Sequence, residues 1–519
     1  MSGSASDRWE LTAGQLGMWR AQQLDPANPI YNVGEYLEIQ GDLDTDLFEQ
    51  AIRRATNEAE SLHTHFSGDD ETLRQQICVS DDWSVESLDV SAEPDPRSAA
   101  ERWMWADLQR PVDLRNDPLV VHAVFRAGHN RVFWYLKTHH IAGDAYSGAL
   151  LVSRVAEIYT ALLAGASPEE GRLEPFSTLL DAESSYRSSD VFDKDREFWG
   201  AVFAEPSETV SLSGRRASGT PHELLRHLKE LQPADAASLK VAARRLRTSF
   251  PVLVIAAAAA YQHRLTGAEN VVLGLPVHGR MGGAQRRAVG MTANILPIRL
   301  TVRAGMTVEK LVQQVSATVR QSLRHQRYRY EDILRDLRLV GSGGLFSLIV
   351  NIISFDYGIS FGECEVLAHA LSGPQANDLS ICVYDRSPDG SLKVALDANP
   401  ALYDAEANER NLRRFREVLL WIANAVPEQP IGAIDVLDEA ERQQVLTTWN
   451  DTAREVPTAT LPQLFQAQAT RTPKAVAVTF EGTQLTYAEL NARANRLAHL
   501  LISHGAGVER TVGLLLERS

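Results

Sequence analysis

The stretch His139-His140-Ile141-Ala142-Gly143-Asp144-Ala145 joins a predicted strand to a predicted helix, and it decides the fold of the surrounding chain. Residues 131–138, just before it, are rich in Val, Phe, Trp and Tyr and apolar on both faces, which predicts an interior strand. After it, apolar residues recur at the helical positions Leu151, Val155, Ile158, Tyr159 and Leu162. A strand, a short loop and a helix in this order predict an α/β fold.

The two histidines and the aspartate of this stretch are candidates for chemistry. A neutral imidazole accepts a proton near pH 7. Adjacent residues of a strand point to opposite faces, so we expect one of His139 and His140 to face a cleft and the other to be buried as support. Asp144 has four candidate roles: base-orienter, metal ligand, helix cap or ion-pair partner. A metal site needs three or four converging ligands, and the sequence has no obvious further pair, so we predict no metal.

The rest of the chain predicts two similar lobes with a cleft between them. Upstream, residues 119–126 form a predicted hairpin with 131–138. Downstream, Thr248 or Ser249 caps a predicted buried helix that starts at Pro251 and includes residues 252–263. Further helices are predicted over 184–203 and 409–426, and strand-like runs are found at 271–276, 295–302, 345–355, 380–384 and 512–516.

Composition excludes several classes of protein. The 519 residues are 44% apolar and carry a formal net charge of −15, which argues against nucleic acid as a partner. The three cysteines lie far apart, so we expect neither a disulfide framework nor a cysteine-based zinc site. Residues 1–7 are polar and do not resemble a signal peptide. The longest apolar run, 250–261, is shorter than the roughly 20 residues that span a bilayer, so we expect a cytoplasmic protein with no membrane partner.

Six other segments accompany the His139–Ala145 stretch in a fixed order. Together they resemble the motifs of a condensation domain of a nonribosomal peptide synthetase, followed by the start of an adenylation domain. The stretch itself is similar to HHxxxDG, and the segments at 273–280, 289–294 and 325–331 are similar to GxPxxxR, VGxFVNT and HQxYPFE. The remaining three are the opening motif, the exit linker and the first adenylation motif, at 11–19 (LTAGQLGMW), 449–452 (WNDT) and 485–490 (LTYAEL).

The resemblance implies an α/β (α+β) fold: a pseudodimer of two chloramphenicol-acetyltransferase-like lobes with a central tunnel. It implies an N-terminal lobe over 1–175, a C-terminal lobe over 176–437, a linker over 438–460 and the incomplete start of an adenylation domain over 461–519. The linker is expected to be polar and of low regularity.

The implied reaction is the formation of an amide by attack of an aminoacyl thioester's amine on a donor acyl thioester. His140 is the expected catalytic residue, either as a base or by positioning the amine and stabilising the tetrahedral intermediate. His139, Gly143, Asp144 and Arg280 are expected to support it, with Asp144 and Arg280 paired. No tightly bound cofactor is implied. The substrates arrive on phosphopantetheine, carried by peptidyl carrier proteins or by CoA, and the adenylation domain in the same chain is a further partner.

Two departures from the family pattern bear on activity and donor. Ala145 stands where the motif has glycine, which matters if that position needs a positive φ. Residues 58–66 resemble RHExLRTxF, but Glu58, Ala59 and His63 depart from it, as in starter-type condensation domains. Because the pattern begins near residue 11, we expect the donor, a fatty or aryl acyl group, to be supplied in trans. The alternatives are a peptidyl donor from another subunit, an epimerase, and an inactive carrier-binding recruitment module.

Overall fold

The structure is a computed structural model that describes residues 8–69, 72–79, 83–206, 208–217, 219–341, 343–354, 359–373, 377–387 and 389–517. The polar residues 1–7 lie outside the described residues. Contacts divide the chain into two compact units, Met1–Val436 and Leu437–Ser519.

The described chain contains fifteen strands. The strands are β1 (Asn32–Gln40), β2 (Thr64–Ser67), β3 (Arg74–Ile77), β4 (Glu86–Asp89), β5 (Val120–Gly128), β6 (Arg131–His139), β7 (Leu225–Leu231), β8 (Asn270–Val277), β9 (Asn294–Thr301), β10 (Leu348–Ile353), β11 (Glu365–Ala370), β12 (Leu379–Tyr384), β13 (Leu392–Ala398), β14 (Val476–Phe480) and β15 (Thr483–Thr486).

The α-helices lie between these strands. They are α1 (Ala13–Leu24), α2 (Thr45–Glu58), α3 (Pro96–Leu108), α4 (Ala145–Leu163), α5 (Ser177–Arg187), α6 (Asp190–Val202), α7 (Pro233–Arg245), α8 (Phe250–Thr266), α9 (Val308–Arg324), α10 (Tyr330–Asp336), α11 (Ala405–Asn424), α12 (Glu439–Gln443), α13 (Leu461–Arg471) and α14 (Tyr487–Ser503). Short 3₁₀ turns occupy Glu60–His63, Gln285–Arg287 and Ile431–Ala433, and a π-helical turn occupies Gln444–Thr448.

Among the described residues, the first unit contains two large sheets and the two-stranded sheet β2–β3. A five-stranded sheet has the order β11-β1-β6-β5-β4, and a six-stranded sheet has the order β7-β13-β12-β10-β8-β9. Strand β6 lies inside the first sheet, between β1 and β5, as its apolar sequence predicts. Helix α8 is buried almost throughout and is capped by Ser249, whose side chain accepts from the N–H of Val252.

Strand β11 connects the two halves. It follows β10 of the six-stranded sheet in the chain, yet it pairs antiparallel with β1 of the five-stranded sheet, with Ala370 opposite Glu35. This crossover has no signal in the sequence, because EVLAHA lacks the clear strand pattern of its neighbours. It places residues from the second half next to β1, whose other edge pairs with β6.

Three predicted elements differ from the structure. The single helix predicted over 184–203 is two helices, α5 and α6, because the backbone of Ser189 is extended and starts α6. Residues 512–516 form no strand in the described part of the chain, where no described strand pairs with them. The connector predicted to be of low regularity contains α12 and the π-helical turn.

Each half of the first unit has its own large hydrophobic core. Trp19, Phe48, Trp134 and Tyr159 belong to the core of the first half, and Tyr261 and Phe415 to that of the second. The unit Leu437–Ser519 consists of α12, α13, the β14–β15 hairpin and α14. Among the described residues, no helix combines the length and the apolar character needed to cross a membrane.

Candidate active site

The predicted motif forms the turn between β6 and α4. His139 is the last residue of β6, and Ala145 is the first residue of α4. Asp144 caps the helix: its Oδ1 accepts from the N–H of Ser147 at 2.9 Å. Ala145 is exposed and helical, so its Cβ meets no conformational penalty. The position therefore does not require the glycine of the family motif.

Asp144 also forms an ion pair with Arg280, as the sequence predicts. Arg280 Nη1 lies 2.8 Å from Asp144 Oδ2, and the side chains are 0% and 3% exposed. Arg280 follows β8 in the second half, so the pair joins the two halves of the unit. Of the four roles considered for Asp144, the structure thus shows helix cap and ion-pair partner.

Backbone donors complete the surroundings of the Asp144 carboxylate. The N–H groups of Thr292 and Ala293 each donate to Oδ2 at 3.1 Å. Burial raises the pKa of Asp144, but Arg280 and these N–H donors outweigh it and lower the pKa to about 2. The carboxylate is therefore ionised near neutral pH and is too weak a base to accept a proton from a substrate.

Arg280 also forms hydrogen bonds with residues other than Asp144. Its Nη2 donates to Gly290 O at 2.7 Å and to Ser147 Oγ at 2.9 Å. Ser147 Oγ also lies 2.9 Å from Asp144 Oδ1 and accepts from the N–H of Gly290 at 3.0 Å. This network makes the tip of the β6–α4 turn rigid.

His139 is the buried histidine of the two. Its Nδ1 accepts from the N–H of Ile141 at 3.2 Å, so the proton is on Nε2, which donates to Gln22 Oε1 at 3.3 Å. Burial lowers the pKa of His139 to about 3, with a further contribution from His140 and Lys137. His139 is a neutral packing and hydrogen-bonding group.

His140 is the partly exposed histidine. Its backbone N–H donates to Tyr31 O at 2.8 Å, which fixes the start of the turn. Its Nδ1 is buried and has no hydrogen-bond partner among the described residues. Burial lowers the pKa of His140 and Arg329 lowers it further, while Asp144 opposes them. The imidazole is therefore neutral near pH 7 and able to accept a proton.

A cavity lies between the first sheet and the start of α4. Gly143, Asp144 and Ala145 line it, together with Val33, Leu62, Leu136, Leu151, Val289 and Ile353. Gly143 leaves little space, since a Cβ there would lie 3.3 Å from Ser147 Cβ. The ring of His140 is not among the described groups that line this cavity. A second cavity is lined by Thr12, Gly279, Thr292, Asn294 and Arg329.

Several residues near the site were not predicted to belong to it. Arg329 stands where HQxYPFE has proline, and its Nη1 donates to Ala293 O at 2.8 Å. Ser147 is placed by its spacing, three residues after the capping aspartate. Glu58, one of the departures noted above, pairs with the buried Arg154 of α4 at 2.6 Å. Within the described residues, no group of three His, Cys, Asp or Glu side chains could hold a metal ion.

The comparison with protein families decides the identity of the first unit. The sequence model of the condensation domain matches residues 5–446. The chain belongs to the condensation-domain family. The model of the AMP-binding enzymes matches residues 465–519, so a short adenylation fragment follows the condensation domain.

Curated relatives are nonribosomal peptide synthetases. The chain is 42% identical over 513 residues to the dimodular nonribosomal peptide synthase of Bacillus subtilis (strain 168), covering 99% of this chain and 22% of that protein. It is 36% identical over 521 residues to the isonitrile lipopeptide synthase of Streptomyces coeruleorubidus, covering 100% of this chain and 35% of that protein. The condensation domain and its adenylation fragment thus span between a fifth and about a third of the length of these relatives.

Solved structures share the fold. A mutant starter condensation domain of rhizomide synthetase, in complex with C8-CoA, matches with a TM-score of 0.78 and 37% identity, over 83% of this chain and 98% of that chain. The first condensation domain of the CDA synthetase matches with a TM-score of 0.78 and 32% identity, over 83% and 100%. The predicted two-lobed fold is confirmed, and the condensation domain is an amide-forming acyltransferase of a nonribosomal peptide synthetase.

Proposed function

We propose that this condensation domain acts as a starter. It joins a fatty or aryl acyl group, supplied in trans as a thioester of CoA or of a separate carrier protein, to the amine of an aminoacyl thioester on a peptidyl carrier protein. The observation that carries the proposal is the neutral, partly exposed His140 beside the fixed Asp144–Arg280 pair, where the two lobes meet. The likeness to starter condensation domains supports the choice of donor.

The residues have distinct roles in this reaction. The amine nitrogen attacks the thioester carbonyl carbon; the C–N bond forms, the C–S bond breaks, and the donor's thiol leaves. His140 accepts the amine's proton and returns it to the leaving thiolate. His139, Gly143, Asp144 and Arg280 position the turn that holds His140. Holding both thioesters together removes much of the entropic barrier.

Partners follow from the same chemistry. Both substrates are tethered through phosphopantetheine. The domain therefore binds an aminoacyl carrier protein as acceptor and either an acyl-CoA or an acyl carrier protein as donor. The downstream adenylation domain of the same chain would select the amino acid. No tightly bound cofactor is needed, since the thioester bond itself drives the reaction.

Incubation of the protein with an acyl-CoA and an aminoacyl thioester, followed by mass spectrometry, tests the proposal. An acyl-aminoacyl thioester formed by the wild type and lost in His140→Ala is the expected result. Product formed only when a peptidyl carrier protein supplies the donor would show that the domain elongates a peptide and does not act as a starter. Deuterium uptake at an α-carbon without amide formation would indicate epimerisation, and no product from any donor would indicate a recruitment module.

A further inference from the structure

The second cavity is lined in part by Arg329, a departure from the family motif. The segment 325–331 is similar to HQxYPFE, and Arg329 occupies the position of its proline. The backbone φ of Arg329 is −71°, a value that proline also adopts. The fold of this segment therefore does not require an arginine, and the guanidinium group needs another explanation.

The guanidinium of Arg329 is anchored on the backbone next to Asp144. Its Nη1 donates to Ala293 O at 2.8 Å and lies 3.4 Å from Thr292 O. The N–H groups of Thr292 and Ala293 donate in turn to Asp144 Oδ2, each at 3.1 Å. The Thr292–Ala293 peptide thus connects the cation to the turn that carries His140.

The surroundings of Arg329 keep its charge effective. The side chain is 11% exposed, so water screens it less than it screens a surface cation. Glu331 Oε2 lies 3.5 Å from Arg329 Nε, but the Glu331 side chain is 47% exposed and its charge is well screened. Gly14 of α1 leaves room for the guanidinium, because a Cβ there would lie 2.5 Å from Nη2. The cation is therefore held at one place inside the protein.

The charges around the His140 imidazole do not cancel. Burial lowers the pKa of His140 and Arg329 lowers it further, whereas Asp144 raises it. The charge of Asp144 is balanced by Arg280, whose Nη1 lies 2.8 Å from the carboxylate. The counterion of Arg329 is the exposed Glu331. A positive field therefore acts on the imidazole.

Two further titratable groups close to His140 are neutral near pH 7. His139 is the preceding residue, and burial lowers its pKa to about 3. Tyr31, whose carbonyl accepts from the N–H of His140 at 2.8 Å, has a pKa that burial raises above its ordinary value. The protonation of His140 therefore depends on burial, on the Asp144–Arg280 pair and on Arg329.

We propose that Arg329 is a positioning residue for amide formation, whose cation is fixed on the Thr292–Ala293 peptide and acts on the His140 imidazole. The inference rests on the proposed function, in which neutral His140 accepts the amine's proton. An imidazole that stays neutral at lower pH remains available as a base. The arginine thereby extends amide formation to a lower pH than the proline of the motif would allow.

Substitutions at position 329 separate the charge from the rest of the side chain. Arg329→Pro restores the motif residue, and Arg329→Met removes the charge but keeps an aliphatic stem. Arg329→Lys keeps the charge without the planar set of donors. Single-turnover rates of amide formation are measured at pH 5.5 and pH 7.5 with the same two thioesters. Titration of the substrate amine is common to all the proteins, so it cancels in the comparison.

The ratio of the rate at pH 5.5 to the rate at pH 7.5 reports the role of the charge. We expect this ratio to fall at least about threefold in Arg329→Pro and Arg329→Met, and to stay within about twofold of wild type in Arg329→Lys. Arg324→Met, which removes an exposed cation in the last turn of α9, should also leave it within about twofold. An unchanged ratio in Arg329→Pro and Arg329→Met, or the same fall in Arg329→Lys or Arg324→Met, would overturn the proposal.

Failure of the proposed function has a separate signature. Absence of amide from every donor, in the wild type as well, would contradict amide formation itself. The protonated fraction of His140 at pH 5.5 is therefore also measured by NMR of the imidazole, which needs no turnover. The signal is assigned by its absence from His140→Ala, and thermal unfolding shows that each protein is folded at this pH. A larger protonated fraction in Arg329→Met than in the wild type supports the proposal, and equal fractions overturn it.

Discussion

Asp144 Oδ2 lies 2.8 Å from Arg280 Nη1, and this ion pair joins the turn after β6 to the segment after β8 with both side chains almost fully buried. Removing one partner leaves a buried charge without its counterion. We expect Asp144→Asn, which can still cap α4, and Arg280→Met each to lower the free energy of unfolding by about 3–5 kcal/mol. Denaturant titration measures it. The double variant should recover part of the loss, and single losses below about 1 kcal/mol would contradict the assignment.

Ala145→Gly restores the motif's glycine and should change little. Ala145 is exposed and begins α4, so a glycine adds only backbone freedom and costs at most about 1 kcal/mol of stability. The initial rate of amide formation should stay within about twofold of wild type. A gain of more than about tenfold would show that the alanine methyl obstructs a substrate.

Gly14 and Arg329 should be energetically coupled. A Cβ at Gly14 of α1 would lie 2.5 Å from Arg329 Nη2, so Gly14→Ala displaces the guanidinium from Ala293 O. In the Arg329→Ala background the same change meets no guanidinium, and the better helix former should stabilise the protein by up to about 1 kcal/mol. A double-mutant cycle by thermal unfolding should give a coupling of about 1 kcal/mol or more. Additive effects would contradict this contact.

Buried neutral histidines predict how stability depends on pH. Burial lowers the pKa of both His122 and His139 to about 3. Because the unfolded chain binds these protons first, the stability is complete above about pH 6.5 and is lost as the pH falls towards 3, by about 1.4 kcal/mol per histidine at pH 5.5.

Denaturation midpoints at pH 5.5 and pH 7.5 measure this loss. His122→Gln should reduce the difference between the two pH values, whereas His129→Gln, at the exposed β5–β6 turn, should not. An equal pH difference in all three proteins would show that His122 is not the source.

The sequence predicts some features of this site well and others not at all. The strand and helix that flank His140 follow from local patterns of apolar residues, and the Asp144–Arg280 pair follows from two family motifs. The β11 crossover cannot be predicted from local patterns, because the pairing of β11 with β1 depends on contacts between residues far apart in the chain. For the same reason the sequence does not predict the ion pair between Glu35 and Arg386, which come together only after both lobes have folded.

The local sequence pattern also does not predict every helix boundary. The α5–α6 boundary at Ser188–Ser189 lies within a pattern that reads as one helix, and an extended backbone at a single residue is enough to divide it. The replacement of proline by arginine at position 329 was visible in the motif, but its partner Gly14 lies in α1, more than 300 residues away. Spatial neighbours of this kind need coordinates.

The single-turnover rate of amide formation by wild type and His140→Ala, with the same two thioesters, tests the central claim most directly. Loss of a general base predicts a fall of about 10²- to 10⁴-fold. Thermal unfolding of the variant should be close to that of the wild type, since residue His140 is partly exposed and its Nδ1 has no hydrogen-bond partner among the described residues. A variant that is folded and forms the amide within about threefold of the wild-type rate would contradict the role of His140.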